Sequence, residues 1–286
     1  MNLAKNYTNL LDEVYKQSTK SDVLTSGAEM ARAGANANEI IYPQIKVSNL
    51  GDYDRSSGYV NGSVQMEWKT ATFGYDRGTK LSVDAMDDEE SMNIAFGKAG
   101  AELIRTVVSP EADAYTFARL AGMSGIGSAS ASLADGTAVL NAIISAKTAM
   151  DEAEVPSEGR ILFITPTKHN AIMALDTTKS REVLGYFSQI IEVPQTRFYT
   201  AIDLLDGKSD GETAGGFKKA TAGKNINFMI VEPSCVMKFD KHVANDVIPP
   251  SQNPDSDAYI LKYRKYGLVD VYQNKRAGVY CHYSTT

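Results

Sequence analysis

Three histidines, His169, His242 and His282, and two cysteines, Cys235 and Cys281, are the side chains best suited to metal or nucleophilic chemistry in this 286-residue chain. None of the histidines has a histidine partner at i+3 or i+4, and neither cysteine lies in a CxxC or Cys/His cluster, so a site would need the fold to gather them. Structural roles are the simpler reading. The run GMSGIG from Gly122 follows a helical pattern, whereas a dinucleotide fingerprint needs a preceding strand, and it reads as a linker. GGFKKATAGKN lacks the first glycine of a phosphate loop and carries Asn225 where the magnesium-holding hydroxyl would stand. The acidic run Asp87, Asp88, Glu89 and Glu90 could attract a cation, yet it sits where a helix N-terminus favours negative charge. The 15 tyrosines could stack on bases, but a net charge of −6 favours core or interface anchors and disfavours a general phosphate-backbone binder. No catalytic residue, metal site or cofactor is expected.

The elements that would position any site read as follows. Leu3, Tyr7, Leu10, Leu11, Val14 and Tyr15 give a short amphipathic helix, and Thr19 to Glu39 is small and polar; residues 1–39 together form an arm. From Ile40 the code changes to strand. Val64, Met66 and Trp68 alternate with Gln65, Glu67 and Lys69, the period of a half-buried strand, and Asn61-Gly62 is the strongest hairpin signal. Residues 40–86 thus read as a long hairpin with flanking strands, one that lacks an obvious neighbour within the chain. Asp87 to Gly122 carries one apolar stripe through Met92, Phe96, Leu103, Val107, Ala114 and Phe117, a strut helix with a kink expected at Pro110. A flexible link follows, then a helix over Thr137 to Ala153, a buried strand RILFIT, a helix from Pro166, strands near Gln189 to Val193 and Asn227 to Val231, and two strands around Gln273 to Ala277. Two cysteines fit a reduced compartment, and with no apolar run approaching 18 residues no membrane span is expected.

This order of parts resembles the major capsid proteins of tailed phages, the Hong Kong 97-like fold. NLGDYDRSSGYVNG with TFGYDRGTKLSVDAMDDEES is similar to that family's extended loop running into its spine helix, and VSPEADAYTFARLAG to the second half of that helix. RILFITPTKHNAIMAL, INFMIVEPSCVMKFDKH and NPDSDAYILKYRKYGLVDVYQNKRAGVY are similar to pieces of its axial and peripheral domains. The resemblance implies an α+β fold with an N-terminal arm (1–39), an extended β-hairpin loop (40–86), a peripheral domain with the spine helix (87–132), an axial domain (133–245) and C-terminal strands returning to the peripheral domain (246–286). It further implies a non-enzymatic shell subunit that assembles with itself as hexamers and pentamers into an icosahedral head around double-stranded DNA. A separate scaffolding protein and a portal protein would be partners, with the virion capsid as destination and the host cytoplasm as place of assembly. Inter-subunit contacts are expected from Tyr53, Asp54, Arg55, Tyr59, Trp68 and Arg77. Some relatives weld subunits through a lysine of the extended loop; the tip from Asp54 to Gly62 has none, so a non-covalent shell is expected. An encapsulin-type nanocompartment is the alternative of the same fold, and an oligomeric α/β enzyme the alternative of another class.

Overall fold

Every residue of the run Ile161–Ile164 is buried, which is the pattern of a strand covered on both faces. The computed structural model describes residues 19–26, 32–33, 38–56, 58–86 and 100–285. In it, this strand (β6) pairs antiparallel with β10 (Ile226–Val231) and parallel with β7 (Gln189–Glu192). Strands β13 (Val279–Tyr283) and β5 (Gly127–Ser130) complete a sheet of order β5-β13-β10-β6-β7. Alternation divides the side chains between two cores. Ile161, Phe163, Met229 and Val231 face Phe117 and Leu120 of helix α1 (Ser109–Ala121) together with Phe198. Leu162, Ile164, Phe228 and Ile230 face Val139, Ile143 and Met150 of helix α2 (Gly136–Glu152). Each such side chain contributes roughly 1.5–3 kcal/mol on full burial.

Local chemistry sets the helix boundaries. The Asp135 carboxylate accepts from the Ala138 amide at 2.8 Å and starts α2. Pro166 opens α3 (Pro166–Met173), and a reciprocal Thr177–Ser180 capping box opens α4 (Thr178–Leu184). The link after α1 is ordered rather than flexible: β5 lies within it, paired in parallel with β13, and a Cβ at Gly127 would collide with the Tyr280 ring. Of the strut helix, residues 87–99, including the acidic run, lie outside the described residues. From residue 100 it runs through a π-helical turn, Ile104–Val108, directly into α1. Pro110 has no N–H for the carbonyl one turn back; the wider turn before it lets the helix continue, with the Ser109 hydroxyl donating to the Ile104 carbonyl at 2.9 Å.

A second sheet runs out of this body. Strand β12 (Ala258–Val271) lies between β11 (Val236–Ile248) and β4 (Tyr75–Asp84). The two tail strands therefore part at the turn Gln273–Gly278, β12 to this sheet and β13 to the other. The expected boundary at 245/246 falls inside β11. Leu81, Val83, Leu261 and Tyr263 pack on Leu103, Ile104 and Val108 of the helix.

The hairpin is β2 (Glu39–Val47) against β3 (Val64–Thr72), with the short β1 (Arg32–Ala33) beside Ile40 and Ile41. It is shorter than the sequence suggests, because β4 leaves it to pair with β12. Nor does Asn61-Gly62 form its turn. The reversal is at Asp54–Gly58, whose backbones exchange hydrogen bonds of 3.2 and 2.7 Å, with Gly58 at φ +81°.

The arm helix expected over residues 1–18 lies outside the described residues, but Thr19–Ser26 is firmly docked. Leu24 is in the core, and the Lys20 and Ser21 amides donate to the two Asp113 carboxylate oxygens at 3.0 and 2.9 Å. The Lys238 ammonium donates to the Ser21 carbonyl and hydroxyl at 2.7 and 2.8 Å, and Arg197 holds Asp113 from the other side at 3.0 Å. Small polar residues are ordered here because buried charges from α1 and β11 bind their backbone.

Candidate functional site

Residues directly opposite in an antiparallel pair share a face, so the β2–β3 register sorts the hairpin into two sides. On one side Ile40, Tyr42 and Ala71 are buried at the root against Phe73, Met237 and Leu268. Farther out on that side stand the polar pairs Gln44–Glu67 and Lys46–Gln65. The other side carries the cross-strand pairs Pro43–Trp68, Ile45–Met66 and Val47–Val64. These apolar side chains are open: Ile45, Val47, Val64 and Met66 are 58–72% exposed and Trp68 42%. The strand expected to be half-buried by its alternation thus has its apolar half uncovered in the single chain.

Beyond the strands, Leu50, Tyr53, Tyr59 and Val60 of the loop are also exposed, and the Tyr53 and Tyr59 rings meet edge-to-face with centroids 4.8 Å apart. Asp54 is occupied in shaping the turn, accepting from the Ser56 amide and hydroxyl at 2.6 Å, while Arg55 is exposed beside it. Among the described residues the lysine of the hairpin nearest the tip is Lys46, opposite Gln65, while Lys69 lies closer to the root and pairs with Glu67 at 2.9 Å. The Lys69 hydrogen bond and both lysine charges hold the Glu67 carboxyl below the usual range.

Of the six expected contact residues, Tyr53, Asp54, Arg55, Tyr59 and Trp68 lie together on the hairpin. Arg77 does not. It sits in β4, bonded to Glu111 at 2.7 and 3.2 Å and to the Leu205 and Gly216 carbonyls at 2.8 and 3.0 Å. It clamps the loop between β8 (Ile202–Leu204) and β9 (Phe217–Lys219) onto α1, an internal role that departs from the expectation. The open face includes residues that sequence reasoning passed over, namely Pro43, Ile45 and Val47. Their signal was the IIYPQIKV alternation, which becomes a face only once its register with β3 is known.

Two of the three histidines and both cysteines are engaged within the fold, while His242 is exposed on β11. His169 pairs with Glu192 at 2.7 Å; His282 stacks on Phe228 and bonds Asn227 at 3.1 Å. Burial lowers the pKa of His282 and raises those of Cys235 and Cys281 to about 12. Among the described residues no group of three His, Cys, Asp or Glu could hold a metal, and no helix is long and apolar enough to cross a membrane.

In sequence the chain matches no family and no curated protein. In structure it is similar to the capsid of the cyanophage P-SCSP1u, with a TM-score of 0.58 at 12% identity over 89% of this chain and 86% of that one. It is similar to the mature capsid of bacteriophage PhiM1, at 0.54 and 13% over 87% and 83%. A virus-like particle from Pyrococcus furiosus aligns at 0.59 and 10% over 99% of this chain and 100% of that one. The α+β fold of this chain is therefore the fold of tailed-phage major capsid proteins, as the resemblance implied.

Proposed function

We propose that the chain is a structural shell subunit, not an enzyme, and that copies of it assemble as hexamers and pentamers into an icosahedral phage head around double-stranded DNA. The observation that carries this reading is the uncovered apolar face of the hairpin, whose root is buried on the opposite side. Surfaces of that kind mark association sites in soluble proteins. The side chains of that face are already partly covered, so each gains less than the roughly 1.5–3 kcal/mol of full burial, against the 4–15 kcal/mol that association costs. One hairpin contact is thus weak, and many in a closed shell hold together. Tyr53, Asp54, Arg55, Tyr59 and Trp68 are its contact residues in this reading. A scaffolding protein and a portal are the partners it requires, and the subunit passes from the host cytoplasm into the virion capsid. The arm (1–39), hairpin, spine helix and two domains keep the roles assigned by the resemblance, with the C-terminal strands divided between both sheets.

The end-to-end alignment with the Pyrococcus furiosus particle supports a second reading of the same surface, an encapsulin-type compartment whose interior holds protein cargo. Sedimentation of the purified chain, with and without a scaffold, tests the shared claim. Large assemblies or capsomers are expected, dissociating in SDS to one monomer band because no tip lysine is available for welding. A monomer at every concentration would refute it.

A further inference from the structure

Thr19–Ser26 crosses the place where helix α1 meets both sheets, and polar groups hold it there. The Lys20 and Ser21 amides donate to the Asp113 carboxylate of α1 at 3.0 and 2.9 Å, and Arg197, in the turn Gln195–Arg197 that follows β7, donates to the same carboxylate at 3.0 Å. At the other end of the segment the Ser26 amide donates to the Lys238 carbonyl of β11 at 2.9 Å, and the Ser26 hydroxyl donates to the Val236 carbonyl at 3.1 Å. Of its two aliphatic residues only Leu24 is buried, at 1% exposure, whereas Val23 is 43% exposed.

Closing this segment carries a cost that opening returns. Asp113 is 0% exposed and Lys238 6%. Lys238 Nζ donates to the Ser21 carbonyl and hydroxyl at 2.7 and 2.8 Å, both of them groups of the segment. The charges around it are Asp113 of α1, Asp22 of the segment, Asp240 of its own strand and Lys265 of β12; burial, with Lys265, outweighs the three carboxylates and draws its pKa down to about 8. An ammonium shut away from water in this way regains hydration when the segment lifts. Lifting it leaves Arg197 on Asp113 and the Lys265–Asp240 pair, each at 3.0 Å, in place, so the body keeps its own ion pairs.

We propose that Thr19–Ser26 is a strap that opens and closes on the otherwise folded chain, with Asp113 and Lys238 as its catch. Shut, it ties α1 to β11 and, through Asp113, to the turn that follows β7 of the other sheet. Open, it uncovers both charges and lets water reach the junction of the two sheets. The strap belongs to the single chain and stands or falls apart from the shell reading.

Trypsin cuts after Lys20, whose side chain is exposed, only when the neighbouring backbone leaves Asp113, so cleavage there counts the open strap. With the dilute full-length chain, and mass analysis of the fragment that begins at Ser21, the strap predicts cleavage well below the rate of the urea-unfolded chain and nearly unchanged by urea up to the unfolding transition. Asp113→Asn, which weakens two charge-assisted hydrogen bonds, should speed that cleavage by roughly tenfold or more. Ser21→Ala, which removes one such bond and leaves the body untouched, should speed it by about fivefold, again with little dependence on urea. Cleavage that appears only as the whole chain unfolds, cleavage of the parent as fast as in urea, or a Ser21→Ala rate equal to the parent's would overturn the inference.

Discussion

The five-stranded sheet and the hairpin are built from the same alternation of apolar residues, and they differ in what covers it. Phe163 in β6 has α1 and Phe198 on its side of the sheet, and Leu162 has α2 on the other, so both sets of side chains are dry within one chain. Met66 in β3 has Ile45 across from it and is itself 58% exposed. Burial in the sheet stabilises the subunit. The same chemistry on the hairpin can stabilise only an assembly.

Two substitutions separate these roles most sharply. Phe163→Ala removes a fully buried ring and should lower subunit stability by about 3–5 kcal/mol in denaturant titrations. Met66→Glu should leave subunit stability within roughly 0.5 kcal/mol, as for other exposed positions, yet prevent assembly by placing a charge where the apolar face must dry. Comparable losses of subunit stability in both would erase the distinction between the regions.

How far the sequence announces each region follows from the range of the interactions. RILFIT is legible because a strand buried on both faces writes its burial into every residue. In VQMEWK the period gives the strand, but whether Val64, Met66 and Trp68 are covered depends on a neighbour the sequence does not contain. The strand β11 stayed hidden because an edge strand with a wet face reads KFDKHVAND, a mixture of charges and small residues with little period. Arg77 looks like an exposed loop cation until the fold brings Glu111 and the 205–216 loop to it. Thr19–Ser26 looks too polar to order, since Asp113 and Lys238, which order it, lie about 90 and 217 residues away.

A smaller effect probes that docked segment, in which Thr19, Ser21 and Leu24 are buried. Burial, with Lys265 adding to it, pulls the Lys238 pKa down to about 8 from 10.5, against the opposing pull of Asp113, Asp22 and Asp240. Between those values the folded chain binds fewer protons than the unfolded one, so this lysine's contribution to stability rises with pH from about 8 to 10.5. Measured in the assembly-defective Met66→Glu background, the stability of the chain with Lys238 relative to Lys238→Met should improve by on the order of 1 kcal/mol per pH unit across that window. A difference that does not change with pH would mean that the ammonium is no more costly folded than unfolded.

The claim that the open hairpin face exists to be covered by another copy is tested most directly by an electron cryomicroscopy reconstruction of the assembled chain. The account predicts closed shells in which Pro43, Ile45, Val47, Val64, Met66 and Trp68 of each hairpin are buried against the adjacent subunit. Shells in which that face remains in solvent, with the contacts made elsewhere, would contradict it.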